Sequence, residues 1–311
     1  MTALRSTLDS ASPAFTDAAS AMTAKLAELD TEHAKALAGG GEKYVERHHA
    51  RGKLTPRERI ELLLDPDAPF LELSPLAAWG TDFAVGASVV VGIGAVNGVE
   101  CLLVANDPTV KGGTSNPWTL KKILRANQIA LQNRLPVISM VESGGADLPT
   151  QKEIFIPGGQ MFRDLTRLSA AGIPTIALVF GNSTAGGAYI PGMSDHVVMI
   201  KERSKVFLAG PPLVKMATGE ESDDESLGGA EMHARTSGLA DYFAVDDTGD
   251  DIAWVERDTQ VGGNDADQFF GVEQRLGDRA RGRSLFAPVE PGDDAAADPD
   301  GVEFVDGEVV C

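Results

Sequence analysis

Two apolar runs that each end in a pair of glycines constrain this chain more than any other feature. The first leads into residues 141–146, VESGGA, and the second into residues 181–189, GNSTAGGAY. Runs rich in Val and Ile that stop at Gly-Gly are typical of a strand followed by a tight turn and a helix. Paired glycines let a ligand oxygen approach backbone N–H groups, and the start of a following helix adds positive charge. Both stretches therefore predict a binding site for a polarised or anionic oxygen.

The composition indicates a soluble protein and excludes several classes of function. The chain has 311 residues, a net charge of −19 and two cysteines, Cys101 and Cys311. No apolar stretch reaches the roughly 18 residues of a membrane helix, and residues 1–5 lack a signal-peptide pattern, which predicts a cytoplasmic location and no membrane partner. The acidic balance without a basic stripe argues against nucleic acid. Two cysteines cannot supply a zinc ribbon, so no metal is expected.

The acidic charge is concentrated at the end of the chain. Residues 246–311 carry 18 acidic and 5 basic side chains, which is −13 of the total of −19. This segment has scattered Gly and Pro and no sustained apolar periodicity. We therefore expect an acidic, disordered tail.

The rest of the chain alternates between helical and strand patterns. A helix is predicted over 19–38, and Thr55-Pro56-Arg57-Glu58 has the pattern of a capping box at the start of a second helix. Asn97-Gly98 joins two predicted strands, 85–96 and 99–105, as a hairpin. The alternation that follows predicts crossover units in a largely parallel sheet. Its segments are a helix 118–133, a strand 135–141, a helix 161–171, a strand 174–180, and short strands 197–200 and 205–208.

Five motifs stand in order along the chain. They are ARGKLTPRER at 50–59, ANDPTVKGG at 105–113, ESGGA at 142–146, TAGGAY at 184–189 and LAGPPLVK at 208–215. Together they resemble the carboxyltransferase (beta) subunits of biotin-dependent acyl-CoA carboxylases, and most closely the methylcrotonyl-CoA carboxylase type. The resemblance implies an α/β, crotonase-like (ClpP/crotonase) domain of ββα superhelical turns over 85–247. N-terminal helices over 1–84 would precede it, and the acidic tail, 248–311, would follow.

The resemblance also implies the chemistry of the site. The family transfers a carboxyl group from carboxybiotin, carried by a biotin carboxylase/biotin carrier alpha subunit, to the enolate of an acyl-CoA. The freed biotin nitrogen takes the proton, so no side-chain base is required. By resemblance, Gly186 and Gly187 would form the oxyanion hole for the enolate. The thioester and pantetheine path would be lined by Ser143, Gly144, Gly145 and Ala146.

Four further residues complete the expected substrate site, and two of them have a plainer alternative. Lys111, beside a Gly-Gly pair, would hold CoA phosphates, although a lysine near a turn is as often simply solvated. Tyr189 would border the acyl pocket, although packing explains a Tyr at a helix start equally well. Ala185 and Ala188 flank the glycine pair of the same motif. Gly192 lacks a side chain, which suggests room for a longer or branched acyl group.

Length separates this sequence from the family it resembles. Family members are about twice as long, and a second crotonase-like domain binds biotin at sites formed between subunits of a homo-oligomer. We therefore expect this chain to hold only the acyl-CoA-binding half, as a split subunit or as a truncated or frameshifted product. On its own, with biotin carboxylase and carrier supplied, we expect no carboxyl transfer.

Two other functions stay open at this stage. A stand-alone crotonase-type hydratase or isomerase would need an acidic side chain near the acyl group, and Glu142 and Asp147 are the candidates. A non-catalytic CoA-binding or assembly subunit would need only the binding site. No pair of His with Asp or Ser occupies a motif position, so no catalytic triad is expected, and His196 and His233 are expected to be structural.

Overall fold

A computed structural model describes residue 6, residues 8–245 and the backbone of residues 252–254. Three helices come first: α1 (Pro13–Leu37), α2 (Glu42–His49) and α3 (Pro56–Leu63). In α3 the Thr55 side chain accepts from the Glu58 N–H, and the Glu58 carboxylate accepts from the Thr55 N–H. The predicted capping box is therefore confirmed.

One mixed sheet forms the centre of the described chain. The predicted hairpin at Asn97-Gly98 is present, since β2 and β3 pair antiparallel on either side of it. From β3 the sheet continues in parallel through β4, β5, β6 and β8, while β1 and β9 pair antiparallel at its edges and β7 pairs with the end of β5. The strands are β1 (Leu71–Glu72), β2 (Val89–Val96), β3 (Val99–Asn106), β4 (Val137–Ser143), β5 (Thr175–Thr184), β6 (His196–Ile200), β7 (Lys205–Phe207), β8 (Tyr242–Ala244) and β9 (Ile252–Trp254).

Helices connect the parallel strands, as the crossover pattern predicts. They are α4 (Pro117–Asn133), α5 (Gln151–Ala170), α6 (Tyr189–Met193), α7 (Pro211–Thr218), α8 (Asp224–Gly228) and α9 (Ala230–Met232). Val137 of β4 belongs to a core shared with α4 and α5, whereas its neighbour Ile138 belongs to a core shared with Ile60 of α3. Because successive strand residues face opposite sides, the helices α4 and α5 and the helix α3 cover opposite faces of the sheet.

Several element boundaries differ from the sequence prediction, and two of these differences have identifiable reasons. β2 starts at Val89 rather than at residue 85, because Gly86, Ala87 and Ser88 all have positive φ and so interrupt the extended chain. α5 begins at Gln151, ten residues before the predicted start, although Pro157 lies inside it. The buried residues Ile154, Met161, Leu165 and Leu168 give this helix a continuous apolar face across the proline.

The end of the described chain also modifies an expectation. β9 lies within the segment 248–311 that was expected to be a disordered tail, and its backbone pairs with β8. The remainder of that expectation concerns residues outside the described part of the chain.

Candidate active site

The end of β4 is hydrogen-bonded to the loop that follows β3. Ser143 Oγ donates to the Gly113 carbonyl at 2.7 Å and accepts from the Gly145 N–H at 3.1 Å, and the Gly144 N–H donates to the Gly112 carbonyl at 3.0 Å. A Cβ on Gly113 would lie 2.2 Å from the Glu142 carbonyl oxygen, so only glycine allows this approach. The predicted thioester-lining residues therefore sit in a rigid backbone arrangement.

Ala146 and Asp147 continue this backbone pairing. Ala146 forms a parallel bridge with Ser115, whose N–H donates to the Gly145 carbonyl at 2.8 Å. The Asp147 N–H donates back to the Ser115 carbonyl at 2.8 Å. Few backbone donors in this stretch are left for a ligand.

The end of β5 has a different form. After Thr184 the chain makes a 3₁₀ turn, Ala185–Ala188, and then the five-residue helix α6. Ala185 has a φ of 51°, while Gly186 and Gly187 have negative φ. The expected helix after the glycine pair is therefore short, and the left-handed residue of this turn is an alanine rather than a glycine.

The two strand ends meet at Gly187. An ideal Cβ on this glycine would lie 3.7 Å from Ser183 Oγ and 3.8 Å from Ser143 Cβ, which are ordinary contact distances. On the other side of the junction, a Cβ on Gly145 would lie 3.0 Å from the Thr184 carbonyl oxygen. The structure thus brings Gly187, Ser143 and Gly145 together.

An aromatic pair stands beside the glycine turn. The rings of Tyr189 and Phe162 have centroids 4.6 Å apart, and a Cβ on Gly186 would lie 3.8 Å from Phe162 Cζ. Tyr189 packs against Phe162 and is also 43% exposed. Phe162 gave no sequence signal, because one aromatic residue in a helical pattern is indistinguishable from core. A Cβ on Gly192 would meet no atom within 4 Å, so this glycine has open space beside it.

Lys111 lies at the edge of the site. It begins the turn Lys111–Gly113, and its side chain is 68% exposed with Nζ 3.6 Å from Asp147 Oδ1. The ammonium group therefore reaches solvent beside the end of β4, with one carboxylate as a neighbour. Asp147 Oδ2 also accepts from the Thr150 hydroxyl at 2.8 Å.

Glu142 points away from the glycine turn. Its carboxylate accepts from Lys53 and, at 2.8 Å, from Arg59 Nη2, and the Arg59 guanidinium stacks over the Phe180 ring at 4.2 Å. His48 Nε2 lies 4.0 Å from the same carboxylate. Glu142 is therefore held in ion pairs with Lys53 and Arg59 beneath α2 and α3, and it is not free to act as the acid or base of a hydratase.

Burial lowers the pKa of two groups, His48 and Lys122. Burial lowers the pKa of His48, and the charge of Glu142 opposes that shift. Burial also lowers the pKa of Lys122 to about 8, while its Nζ donates to the Val89 carbonyl at 2.8 Å. His233 is held by the Ser237 hydroxyl and the Val206 carbonyl at 2.7 Å each, which fits the expected structural role.

A cavity of about 390 Å³ lies elsewhere in the fold, between the end of α1, the start of α3 and the end of β3. Its lining includes Gly39, Thr55 and Asp107. None of the sequence-predicted site residues line it, so the strand ends and not this cavity form the candidate site.

The described residues contain neither a metal-binding cluster nor a membrane-spanning helix. Within that part of the chain, no group of three or more His, Cys, Asp or Glu side chains is arranged to hold a metal ion. Over the same residues, no helix has both the length and the apolar character needed to span a bilayer.

Comparison with known proteins identifies relatives of this arrangement. The carboxyl transferase domain family matches residues 47–261, further than the resemblance was expected to reach. The chain is 84% identical over 244 residues to the probable biotin-dependent acyl-coenzyme A carboxylase beta2 subunit of Mycobacterium tuberculosis, which covers 78% of this chain and 46% of that protein. It is 54% identical over 227 residues to the biotin-dependent 3-methylcrotonyl-coenzyme A carboxylase beta1 subunit of the same organism, covering 71% and 43%.

A solved structure extends the likeness to three dimensions. The beta subunit of geranyl-CoA carboxylase from P. aeruginosa superposes with a TM-score of 0.75 at 46% identity, covering 80% of this chain and 46% of that one. The described domain therefore has the crotonase-like carboxyltransferase fold. The chain spans about half the length of the curated relatives it matches.

Proposed function

Because the chain belongs to the carboxyl transferase domain family, we propose that it binds an acyl-CoA and, within a complete carboxyltransferase, stabilises the enolate that accepts the carboxyl group. By resemblance, carboxybiotin on a partner alpha subunit supplies both the carboxyl group and the base. This chain's own task is then electrostatic, since it must hold the thioester and stabilise negative charge on its oxygen. One backbone donor lost from such a site typically costs roughly a hundredfold or more in rate.

The meeting of the 3₁₀ turn with the end of β4 is the observation that carries this proposal. In a 3₁₀ turn each N–H bonds the carbonyl three residues back, so the first residues, Ala185 and Gly186, have no acceptor inside the turn. This supports Gly186 as an oxyanion donor. Gly187 contributes by lacking a side chain where the turn faces Ser143. The pantetheine arm would then follow the locked backbone from Ser143 to Ala146.

The surroundings support an acyl pocket and a phosphate contact. The tilted Phe162–Tyr189 ring pair offers an aromatic wall beside Gly186, which suits a branched or unsaturated acyl group. The exposed Lys111 ammonium suits CoA phosphates, although Asp147 reduces its free charge.

An exposed apolar surface near the site supports a contact with a second protein domain. Leu148, Phe155 and Ile156, at the start of α5, are 72%, 73% and 86% exposed. Single exposed apolar residues are ordinary, but three within nine residues favour a contact surface. We assign this surface to the biotin-binding half of a homo-oligomeric enzyme.

The test is calorimetric titration of the 311-residue chain with 3-methylcrotonyl-CoA, propionyl-CoA, acetyl-CoA and a longer acyl-CoA. We expect binding, with acetyl-CoA the weakest ligand. Gly187→Val should weaken binding by about tenfold or more, because its methyl groups fill the space beside Ser143. Gly159→Val, a change of the same size on exposed helix surface, should leave affinity unchanged.

Three outcomes would contradict the proposal. A folded chain that gives no heat with any acyl-CoA does not contain the site. Loss of the conjugated thioester's ultraviolet absorbance in the chain alone would instead indicate a hydratase, for which the neutralised Glu142 offers no support. Binding by the chain without carboxyl transfer in any reconstituted enzyme would favour a non-catalytic CoA-binding or assembly subunit.

A further inference from the structure

Two serine hydroxyls stand side by side where β4 and β5 end. Ser143 and Ser183 are register partners of parallel strands, so their side chains point to the same face of the sheet. Both are buried, with exposed fractions of 4% and 0%. The two hydroxyls are therefore alike in burial, and they differ in their hydrogen-bond partners.

The two hydroxyls differ in their partners. Ser143 Oγ is occupied on both sides, since it donates to Gly113 and accepts from Gly145. Ser183 Oγ has no hydrogen-bond partner among the described residues. A buried hydroxyl without a partner is unfavourable, and such groups in folded proteins usually meet a ligand or an ordered water.

The position of Ser183 indicates which acceptor it meets. Its Oγ lies 3.7 Å from where a Cβ of Gly187 would stand, directly beside the half-buried turn that faces Ser143. This is the space that the absent side chain of Gly187 leaves open. A thioester oxygen can only accept hydrogen bonds, and it needs more donors as it gains charge.

We propose that the Ser183 hydroxyl donates a hydrogen bond to the thioester oxygen of the bound acyl-CoA, as a side-chain donor in addition to the backbone N–H groups. This rests on the proposed function, because it requires an acyl-CoA at the glycine turn. A resident water that accepts the same hydrogen bond is the competing occupant, and the experiment separates the two.

The experiment compares two ligands that differ in one oxygen. Calorimetry of the 311-residue chain and of Ser183→Ala uses 3-methylcrotonyl-CoA and the S-(3-methyl-2-butenyl)-CoA thioether, which lacks the carbonyl. We expect Ser183→Ala to weaken the thioester by roughly 3- to 10-fold, the effect of one neutral hydrogen bond, and to leave the thioether unchanged. Ser183→Cys, with its weak S–H donor, should fall between.

An infrared measurement reads the hydrogen bond directly. With a ¹³C-labelled carbonyl, the thioester stretch should shift to lower frequency on binding to the parent, and by less on binding to Ser183→Ala. Thermal unfolding checks the variant, which should be as stable as the parent since no protein bond is removed. Ser143→Ala should instead lose stability, because two hydrogen bonds depend on its hydroxyl.

Each outcome has a distinct meaning. Equal weakening of thioester and thioether, or an unchanged carbonyl stretch in Ser183→Ala, overturns the direct hydrogen bond and indicates a resident water. Unchanged binding of both ligands overturns any role for Ser183 while the proposed function stands. Failure of the parent to bind either ligand overturns the proposed function and this proposal with it.

Discussion

The two strand ends that form the candidate site have nearly the same sequence signal and opposite physical roles. At the end of β4, Gly145 has a φ of 90°, and the backbone from Gly144 to Asp147 is hydrogen-bonded to neighbouring segments. At the end of β5, Gly186 and Gly187 have ordinary helical φ and room for a Cβ. Gly145 is needed for the backbone conformation at the end of β4, whereas Gly186 and Gly187 leave space at the end of β5.

This difference teaches how a glycine pair should be interpreted. A glycine that protein atoms surround contributes to folding, and its replacement should lower stability. A glycine with open space beside it contributes to binding, and its replacement should spare the fold. The two pairs can therefore be distinguished by measuring stability and ligand affinity in the same variants.

The largest effect should come from the charge cluster that anchors the end of β4. Arg59→Met leaves the buried Glu142 carboxylate with Lys53 as its remaining close cation, and it should cost about 3 kcal/mol or more of unfolding free energy. Urea unfolding measures this. Glu142→Gln added to Arg59→Met should restore part of the loss, and Lys25→Met, in an exposed pair, should change stability by about 0.5 kcal/mol or less. A cost for Arg59→Met as small as that of Lys25→Met would show that the cluster is not an anchor.

The next effect separates the glycine pairs themselves. Gly145→Ala should cost about 1–3 kcal/mol, because it places a side chain in the left-handed region and 3.0 Å from a carbonyl oxygen. Gly187→Ala should change stability by about 0.5 kcal/mol or less, since its Cβ meets nothing closer than 3.7 Å. Denaturant unfolding of both variants checks this, and similar losses in the two would remove the distinction.

A smaller effect should appear in the pH dependence of stability. The folded-state pKa of His48 lies below its ordinary value because the ring is buried, so the unfolded chain takes up the proton first as the pH falls. The contribution of neutral His48 is therefore complete above about pH 6.5 and is lost as the pH falls below it. His48→Gln should reduce the pH slope of unfolding free energy between about pH 7 and 5.5. An unchanged slope would show that His48 does not titrate on unfolding.

The smallest effect on stability should come from Lys111. Lys111→Glu should alter unfolding free energy by about 1 kcal/mol or less, because the Lys111 side chain is 68% exposed and its Nζ lies 3.6 Å from the Asp147 carboxylate. Acyl-CoA affinity should nevertheless fall by about fivefold, since a negative charge replaces a positive one near the phosphates. Lys25→Glu on α1 makes the same charge change in another element and should not alter affinity. Equal affinities for the parent and for Lys111→Glu would indicate that Lys111 is simply solvated and does not contact the phosphates.

Local chemistry in the sequence was enough to predict much of the fold. The capping box at Thr55 and the hairpin at Asn97-Gly98 depend on adjacent residues, and both are present. The start of α5 was mispredicted because Pro157 is a strong local signal, while the apolar face that overrides it is fixed by packing against the sheet. Tertiary contacts, which no local pattern contains, decided that boundary.

For the candidate site, too, the sequence motifs identified one part, and only the folded structure showed the rest. The resemblance assigned Gly187 to the oxyanion hole and Ser143 to the thioester path, and the structure places these two residues side by side. The motifs did not show that Ala185 rather than a glycine takes the positive φ, or that Glu142 turns toward Arg59. They also did not single out Ser183, since a serine in a strand gives no signal until its partners are known. Orientation and hydrogen-bond satisfaction are properties of the folded chain.

Amide hydrogen exchange with and without 3-methylcrotonyl-CoA tests the central claim most directly. In the free protein, the amides of Gly144, Gly145 and Asp147 should already exchange slowly, because each donates to a protein acceptor, and ligand should change them little. The amide of Gly186 should exchange faster and should slow when the acyl-CoA binds, because the thioester oxygen becomes its acceptor. Fast exchange at the end of β4, or slowing that bypasses the turn Ala185–Ala188 while ligand binds, would contradict the assignment of one strand end to structure and the other to binding.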